Sequence, residues 1–152
     1  MTSSAMAADA TASASAVVGA PIAITQAKGL SFGSFAPNAT TAGSVVIGTD
    51  GSPTYNVVTQ LSGATPSEGE FSVTGQGAAA ISVAIPTSPV TLTNQDGAGT
   101  MTVASFTSDA GATPAFNGSG NFTLNVGATL TVAAGQNAGN YTGTYQVSVN
   151  YQ

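Results

Sequence analysis

Apolar and polar residues alternate along several short stretches of this chain, and the clearest stretch lies at its carboxyl end. From residue 141 to residue 152, the odd positions hold Tyr, Val and one Gly, and the even positions hold polar residues. A period of two puts one set of side chains on each face of a β-strand. The pattern therefore predicts a last strand with one buried face, which follows a turn at Gly139.

A second alternating stretch lies near the amino end. From residue 8 to residue 18 the even positions hold Ala or Val, and the odd positions from 9 to 15 hold Asp, Thr or Ser. The sequence Gly19-Ala20-Pro21 interrupts the alternation and predicts a hinge. We expect an arm with its hinge over residues 8–20. The arm either folds back on its own domain or adds a strand to a sheet edge of another copy.

Between these ends, short alternating runs are separated by turns rich in Gly, Pro and Asn, which predicts seven to ten strands. The expected strands cover residues 21–26, 44–49, 55–61, 70–74, 79–85, 90–93, 100–107, 122–126 and 128–132. In 100–107 the apolar positions change parity at Ala104, which indicates a β-bulge. No stretch has a helical period, so residues 21–152 are expected to form an all-β sandwich. Tyr55 and Phe116 are the aromatic residues we expect at the surface.

Charge is scarce in the 152 residues, with one Lys, no Arg, no His and six acidic residues, for a net charge of −5. Phosphate recognition needs clustered cations, so we expect no nucleic-acid partner. No apolar run approaches the length of a membrane helix, so we expect no membrane insertion. With 42% hydrophobic residues, the composition is that of a folded chain.

The residues needed for common catalytic chemistry are missing. Without Cys, His or Arg, the chain has no Ser-His-Asp or Cys-His arrangement and no His-ligated metal. Glu68 and Glu70 are the one close acidic pair, and we interpret them as solvated loop charges rather than glycosidase carboxylates. Residues 94–97 begin like a calcium loop but lack its further acidic ligands, so we interpret them as a turn. We expect no enzyme activity, no cofactor and no metal.

Residues 1–7 contain the sequence Ala5-Met6-Ala7, which has the form of a signal-peptide cleavage site. The positive and apolar regions of a signal peptide are missing from this stretch. We therefore interpret residues 1–7 as the remnant of a signal peptide or a disordered start, and we expect a secreted protein. A secreted protein without cysteines relies on its core and its hydrogen bonds.

Taken together, these stretches resemble the secreted bacterial domains related to spore-coat-U and archaic chaperone–usher pilus subunits. The matching stretches are residues 20–25, 30–33, 71–75, 85–86, 99–103, 124–130, 139–143 and 147–151. Gly139 is fourteenth from the end and Tyr151 is penultimate, as in the pilin strand that a periplasmic chaperone grips. Unlike many pilins, this chain has no disulfide, and the side chains of its arm are mostly alanines.

The resemblance implies an immunoglobulin-like β-sandwich that lacks its last strand and is completed by the N-terminal donor strand of a neighbouring subunit. The inward residues of the donor arm would be Ala10, Ala12, Ala14, Ala16 and Val18. The acceptor edge, which is also the chaperone-binding strand, would comprise Gly139, Tyr141, Tyr145, Val147, Val149 and Tyr151. The implied partners are identical subunits in a head-to-tail homopolymer, with a periplasmic chaperone and an outer-membrane usher during assembly.

The resemblance leads us to expect a structural subunit of an extracellular pilus that polymerises non-covalently by donor-strand exchange and is exported through the periplasm to the cell surface. The alternative is a monomeric secreted β-sandwich that binds carbohydrate or a cell surface, with its arm folded back on itself. A glycan-active enzyme is a third class. A binder should have an exposed aromatic platform, whereas a fibre subunit should polymerise through its arm.

Overall fold

The structure, a computed structural model, describes residues 1–152 and contains β-strands but no helix, which confirms the all-β prediction. No helix is therefore present that could cross a membrane. The strands are β1 (Ala23–Lys28), β2 (Phe35–Ala36), β3 (Gly43–Ile47), β4 (Pro53–Asn56), β5 (Thr59–Gln60), β6 (Gly69–Thr74), β7 (Ile81–Ala84), β8 (Val90–Asn94), β9 (Thr100–Ser108), β10 (Asn121–Val132), β11 (Tyr141–Thr142) and β12 (Ser148–Tyr151).

Most strands belong to one antiparallel sheet, in which β1, β6, β10, β9, β8 and β11 follow one another. Strand β10 organises this sheet. One of its edges pairs with β9, while the other pairs first with β6 and then with β3, and β4 extends the sheet beyond β3. Because β10 changes partner part-way along, the sheet curls around the core, as in a β-sandwich. Strand β12 pairs with β7 apart from this sheet, and β2 pairs with β5.

The bulge predicted from the change of parity at Ala104 is confirmed in β9. Thr107 pairs with Gly127 of β10, but Ala104 pairs with Thr129, so two residues of β9 oppose one residue of β10. The first of the two is Ser105, whose φ is 52°. The extra residue moves the inward face of β9 from odd to even positions.

The core consists of two clusters of buried side chains. The larger contains Phe32 and residues of β3, β9 and β10, and the smaller contains Val73, Ile81 and Phe116. The expectation that Phe116 lies at the surface is wrong, because its loop pairs with residue 80 and brings the ring into the smaller cluster at 3% exposure. Tyr55 also packs against the core rather than standing free.

The single strand predicted over residues 55–61 is two short strands, β4 and β5. Val57 between them has a φ of 63°, a conformation that β-branched residues rarely adopt. This kink reverses the side-chain parity, so Val58 is buried while Val57 and Leu61 are 52% and 49% exposed. The prediction of one continuous strand over residues 55–61 is therefore wrong.

Two other predictions differ from the structure in whether a strand is continuous. The residues expected to form separate strands over 122–126 and 128–132 form the single strand β10. In contrast, the predicted last strand is divided into β11 and β12, and residues 143–147 between them pair with no strand. Its alternation nevertheless holds, since Tyr145, Val147 and Val149 are partly buried and the even positions are exposed.

Candidate functional site

A groove of about 640 Å³ opens the larger core cluster to the surface. One wall is residues 30–37, which follow β1, and the other is residues 136–145, which precede β12. No strand pairing joins the two walls. The floor includes Met101, Val103 and Leu130, each at most 6% exposed. The groove is therefore a gap between two stretches of chain that leads directly to the apolar core.

The lining of the groove is uncharged, since none of its residues is Asp, Glu, Lys or Arg. Phe35, Phe106 and Tyr141 line it while remaining only partly buried. Extended peptides bind at sheet edges through backbone hydrogen bonds, with alternate side chains in apolar pockets. The groove therefore has the chemistry to accept an uncharged extended segment.

Residues 94–97 form the turn expected from the sequence, and this turn holds one wall of the groove. The buried Asn94 donates its side-chain N–H to the Ala138 carbonyl at 3.1 Å. The Asp96 carboxylate accepts from the backbone and side-chain N–H groups of Asn140 at 2.7 and 2.8 Å. Asp96 thus anchors the chain, and no group of three or more His, Cys, Asp or Glu side chains is placed to hold a metal.

Gly139 lies in the middle of this anchored wall. Its φ is 145°, in the region that favours glycine, and a Cβ there would collide with the side chain of Asn94. The wall can pass close to Asn94 only because residue 139 has no side chain.

The six residues predicted for the acceptor edge lie along one continuous stretch. Gly139, Tyr141 and Tyr145 line the groove, whereas Val147, Val149 and Tyr151 lie beyond it. Val149 packs against the smaller core cluster, and the Tyr151 residue is 41% exposed. Residues 148–151 form β12, and pairing to β7 occupies one of its edges.

Tyr145 stands at the end of the groove nearest β1. Its ring contacts Phe71 edge-on, with centroids 6.1 Å apart, and Phe106 at 5.4 Å. Its hydroxyl is buried without a hydrogen-bond partner, and burial raises the pKa of Tyr145. A Cβ on Gly69 would overlap this hydroxyl, so glycine at residue 69 makes room for it.

Comparison with known proteins assigns the domain to a family. A family model described as a domain of unknown function, DUF4402, matches residues 22–151. The chain belongs to this family. No curated protein and no solved structure matches the chain. The matched region contains all twelve strands, and the predicted arm lies outside it.

The arm lies apart from the DUF4402 domain. Residues 1–19 are all exposed and make no hydrogen bond to the domain, and Val17 and Val18 are 98% and 93% exposed. The even positions Ala10, Ala12, Ala14 and Ala16 therefore have no partner surface within the chain. The structure does not bring the arm and groove of one chain together.

The acidic pair near the DUF4402 groove is not simply solvated, contrary to the interpretation from sequence. Lys28 Nζ donates to Glu68 Oε1 at 2.5 Å and lies 3.7 Å from Glu70 Oε2. The hydrogen bond between Lys28 and Glu68 is the main reason why the pKa of Glu68 is lowered and that of Lys28 is raised. Lys28 thus balances one of the two carboxylate charges and connects the end of β1 to the start of β6.

Sequence reasoning missed the wall formed by residues 30–37 of the DUF4402 domain. Leu30 and Phe32 alternate with polar or small residues, but this alternation gives no sign that the stretch borders an opening. Neither the floor residues nor the unpaired hydroxyl of Tyr145 has a sequence signature, because both depend on which strands fail to pair.

Proposed function

We propose that this DUF4402 protein is a structural subunit of an extracellular pilus whose copies join non-covalently by donor-strand exchange. The arm of one copy fills the groove of the next and completes an immunoglobulin-like sandwich. The observation that carries the proposal is the uncharged groove, whose floor is formed by core side chains between two unjoined walls. The exposed arm of the same chain has small apolar side chains at its even positions, and its one charge, Asp9, is at an odd position.

A missing strand would explain why β1 and residues 145–151 lie near each other without pairing. Ala20, just before β1, contacts Tyr151, while Leu30, just after β1, and Tyr145 both lie beside Gly69. The two stretches therefore run side by side in opposite directions, yet no backbone pairing joins them. All six residues of β1 are exposed. A donor strand that enters the groove and continues between these two stretches would cover β1 and pair with both edges.

The arm has the length and side chains for this position. Eleven residues, 8–18, span about 36 Å when extended. Small inward alanines suit a groove already lined by Phe and Tyr side chains. Each backbone hydrogen bond contributes about 0.5–1.5 kcal/mol, so a ladder of several bonds would account for stable attachment.

The positions of arm and groove favour a head-to-tail contact. The arm leaves the domain just before the first residue of β1, and one wall of the groove begins just after its last residue. Because β1 has six extended residues, these two points are about 20 Å apart. Joining the arm of one copy to the groove of another uses two different surfaces, and such a contact extends into a filament unless its rotation closes a ring.

The same proposal includes a periplasmic chaperone and an outer-membrane usher, which deliver the subunit to the cell surface. A groove with an apolar floor and unpaired edges is an aggregation site while it is empty. A chaperone that lends a strand before assembly would protect it. Its contacts would lie on residues 139–151, along the free edge.

The alternative function, a monomeric binder of carbohydrate or a cell surface, has less support. Tyr151 is the one aromatic residue of the chain that is more than about a third exposed, and its hydroxyl is bonded within the protein. The surface therefore offers no group of exposed aromatic rings on which a sugar could stack.

Sedimentation and negative-stain imaging of the full chain and of a variant lacking residues 1–18 test the proposal. We expect filaments from the full chain that survive dilution, and monomers without the arm. Ala14→Asp would place a charge on the inward face and abolish filaments, whereas its matched control Ser13→Asp lies on the outward face and should retain them. A full chain that stays monomeric at every concentration would contradict the proposal.

A further inference from the structure

Ala20, the last residue before Pro21, is held by a ring of hydrogen bonds. Its carbonyl accepts from Tyr151 Oη at 2.5 Å, and its N–H donates to Gln76 Oε1 at 3.2 Å. The backbone N–H of Gln76 donates to the same Tyr151 hydroxyl at 2.7 Å. We call the three residues Ala20, Gln76 and Tyr151 the arm clamp. Both backbone polar groups of Ala20 are satisfied within it.

The arm clamp has a rigid base. Tyr151 lies in β12, paired with β7, and its ring meets Phe116 at a centroid distance of 6.0 Å. Phe116 is itself buried. A Cβ on Gly75 would lie 2.6 Å from the Phe116 ring and 2.7 Å from the Tyr151 hydroxyl, so glycine keeps this space open. Strand pairing, the aromatic contact and the glycine together fix the position of the hydroxyl.

The arm clamp controls the direction in which the arm leaves the domain. Pro21 fixes its own φ and disfavours a helical conformation at Ala20, so the chain enters β1 extended. The groove lies beyond the other end of β1. To reach its own groove, the arm would have to reverse direction before Pro21. Because Ala20 is bound at both its N–H and its carbonyl, that reversal must either break the clamp or be confined to Gly19 and the residues before it.

We propose that Tyr151 is a positioning residue that directs the arm away from its own groove and toward the groove of a second copy. The inference rests on the proposed function for the identity of the groove's occupant. A flexible arm joined to its own groove would have an effective concentration in the mM range, which favours self-insertion over polymerisation. Holding the hinge extended opposes this self-insertion.

Tyr151→Phe tests the inference, because it removes the hydroxyl and keeps the ring against Phe116. Tyr55→Phe is the matched control, since the Tyr55 hydroxyl makes one long contact of 3.5 Å, to the Phe32 carbonyl, outside the arm clamp. In the full chain, we would measure deuterium exchange at the Ala20 amide in the monomer fraction and the monomer-to-polymer ratio by sedimentation.

Tyr151→Phe removes both hydrogen bonds of the hydroxyl, and the one to the Ala20 carbonyl is the one that holds the arm. Loss of that bond corresponds to about a two- to tenfold change in an equilibrium. In Tyr151→Phe we expect exchange at Ala20 to rise, and the monomer fraction to increase, by about this factor. Tyr55→Phe should change neither. Binding of a synthetic peptide of residues 8–18 to the arm-deleted domain, with Tyr151 unchanged, reports on the groove separately.

If the wild type polymerises and Tyr151→Phe has the same monomer fraction, the inference is overturned but the proposed function still stands. Equal exchange at Ala20 in the two proteins would overturn it as well. Failure of the proposed function has a different signature, in which the wild type does not polymerise and the arm-deleted domain does not bind the peptide.

Discussion

Gly139 lies so close to the buried side chain of Asn94 that a Cβ at residue 139 would overlap the Asn94 amide. Asn94 in turn donates to the carbonyl of Ala138, so the contact holds one wall of the groove against the turn at residues 94–97. Under the proposed function, this glycine would lie in the stretch that a chaperone contacts. The contact with Asn94 gives it a local structural reason as well.

Gly139→Ala should therefore destabilise the domain through both backbone strain and the collision, by about 1–3 kcal/mol for the strain alone. Gly111→Ala is the matched control, since Gly111 also has a positive φ, 73°, but has nothing within 4 Å of its Cβ position. Denaturant unfolding should give the larger loss for Gly139→Ala. Equal losses would mean that the contact with Asn94 contributes nothing.

Tyr145→Phe should leave stability unchanged or raise it by up to about 1 kcal/mol, because a buried hydroxyl without a partner contributes only a desolvation cost. Tyr141→Phe is the comparison, since the Tyr141 hydroxyl accepts from Gln136 at 2.8 Å and donates to Asn137 at 2.7 Å. In thermal unfolding, Tyr141→Phe should have a lower midpoint temperature than Tyr145→Phe. The reverse order would show that the Tyr145 hydroxyl is bonded in solution.

The Lys28–Glu68 pair predicts a dependence of stability on pH at both extremes. The pKa of Glu68 is lowered, so its contribution is complete above about pH 4.5 and is lost as pH falls through the folded-state value. The pKa of Lys28 is raised, so its contribution is complete below about pH 10.5 and is lost as pH rises through the folded-state value.

Lys28→Met should remove the Lys28–Glu68 contribution from both limbs of the stability profile. The unfolding free energy of the variant should still depend on pH because of two other groups. Hydrogen bonds from Ser52 lower the pKa of Asp50, and burial raises the pKa of Tyr145. The quantity to measure is the difference in unfolding free energy between wild type and Lys28→Met from pH 3 to pH 11. A difference that is constant across this range would contradict the account.

A charge at the groove should block assembly without unfolding the subunit. Leu61 lines the groove and is already 49% exposed, so Leu61→Asp should keep the monomer's thermal stability and eliminate filaments. Val57→Asp is the control, because Val57 is 52% exposed nearby, lies outside the groove and has a φ that Asp tolerates. Filaments from Leu61→Asp, or their loss in Val57→Asp, would count against the groove as the acceptor.

The sequence predicts strand positions well where alternation and turn residues agree. The bulge near Ala104 and the inward face at Tyr145 follow from parity alone, since side-chain direction in a strand depends on local geometry. The break between β4 and β5 cannot be predicted from the sequence, because the left-handed φ of Val57 changes the side-chain parity without any Gly or Pro to mark it. Phe116 was misplaced because its burial depends on a distant pairing with residue 80.

The candidate site also has parts that the sequence predicts and parts that it does not. The alternating arm and the last strand can be recognised from the sequence, because each is one continuous stretch. The groove cannot, because it arises where residues 30–37 and 136–145 approach without pairing. The same holds for the arm clamp, which joins residues 20, 76 and 151.

The central claim is that the arm of one copy occupies the groove of another, and crosslinking between two tagged populations tests it most directly. The chain has no cysteine, so Ala14→Cys in one population and Leu61→Cys in the other introduce single thiols. A short bismaleimide, which adds one cysteine thiol at each end, should give a product that contains both tags when it is applied after mixing. Val57→Cys in place of Leu61→Cys should give little of it. Equal yields with Leu61→Cys and Val57→Cys, or no mixed product at all, would contradict the account.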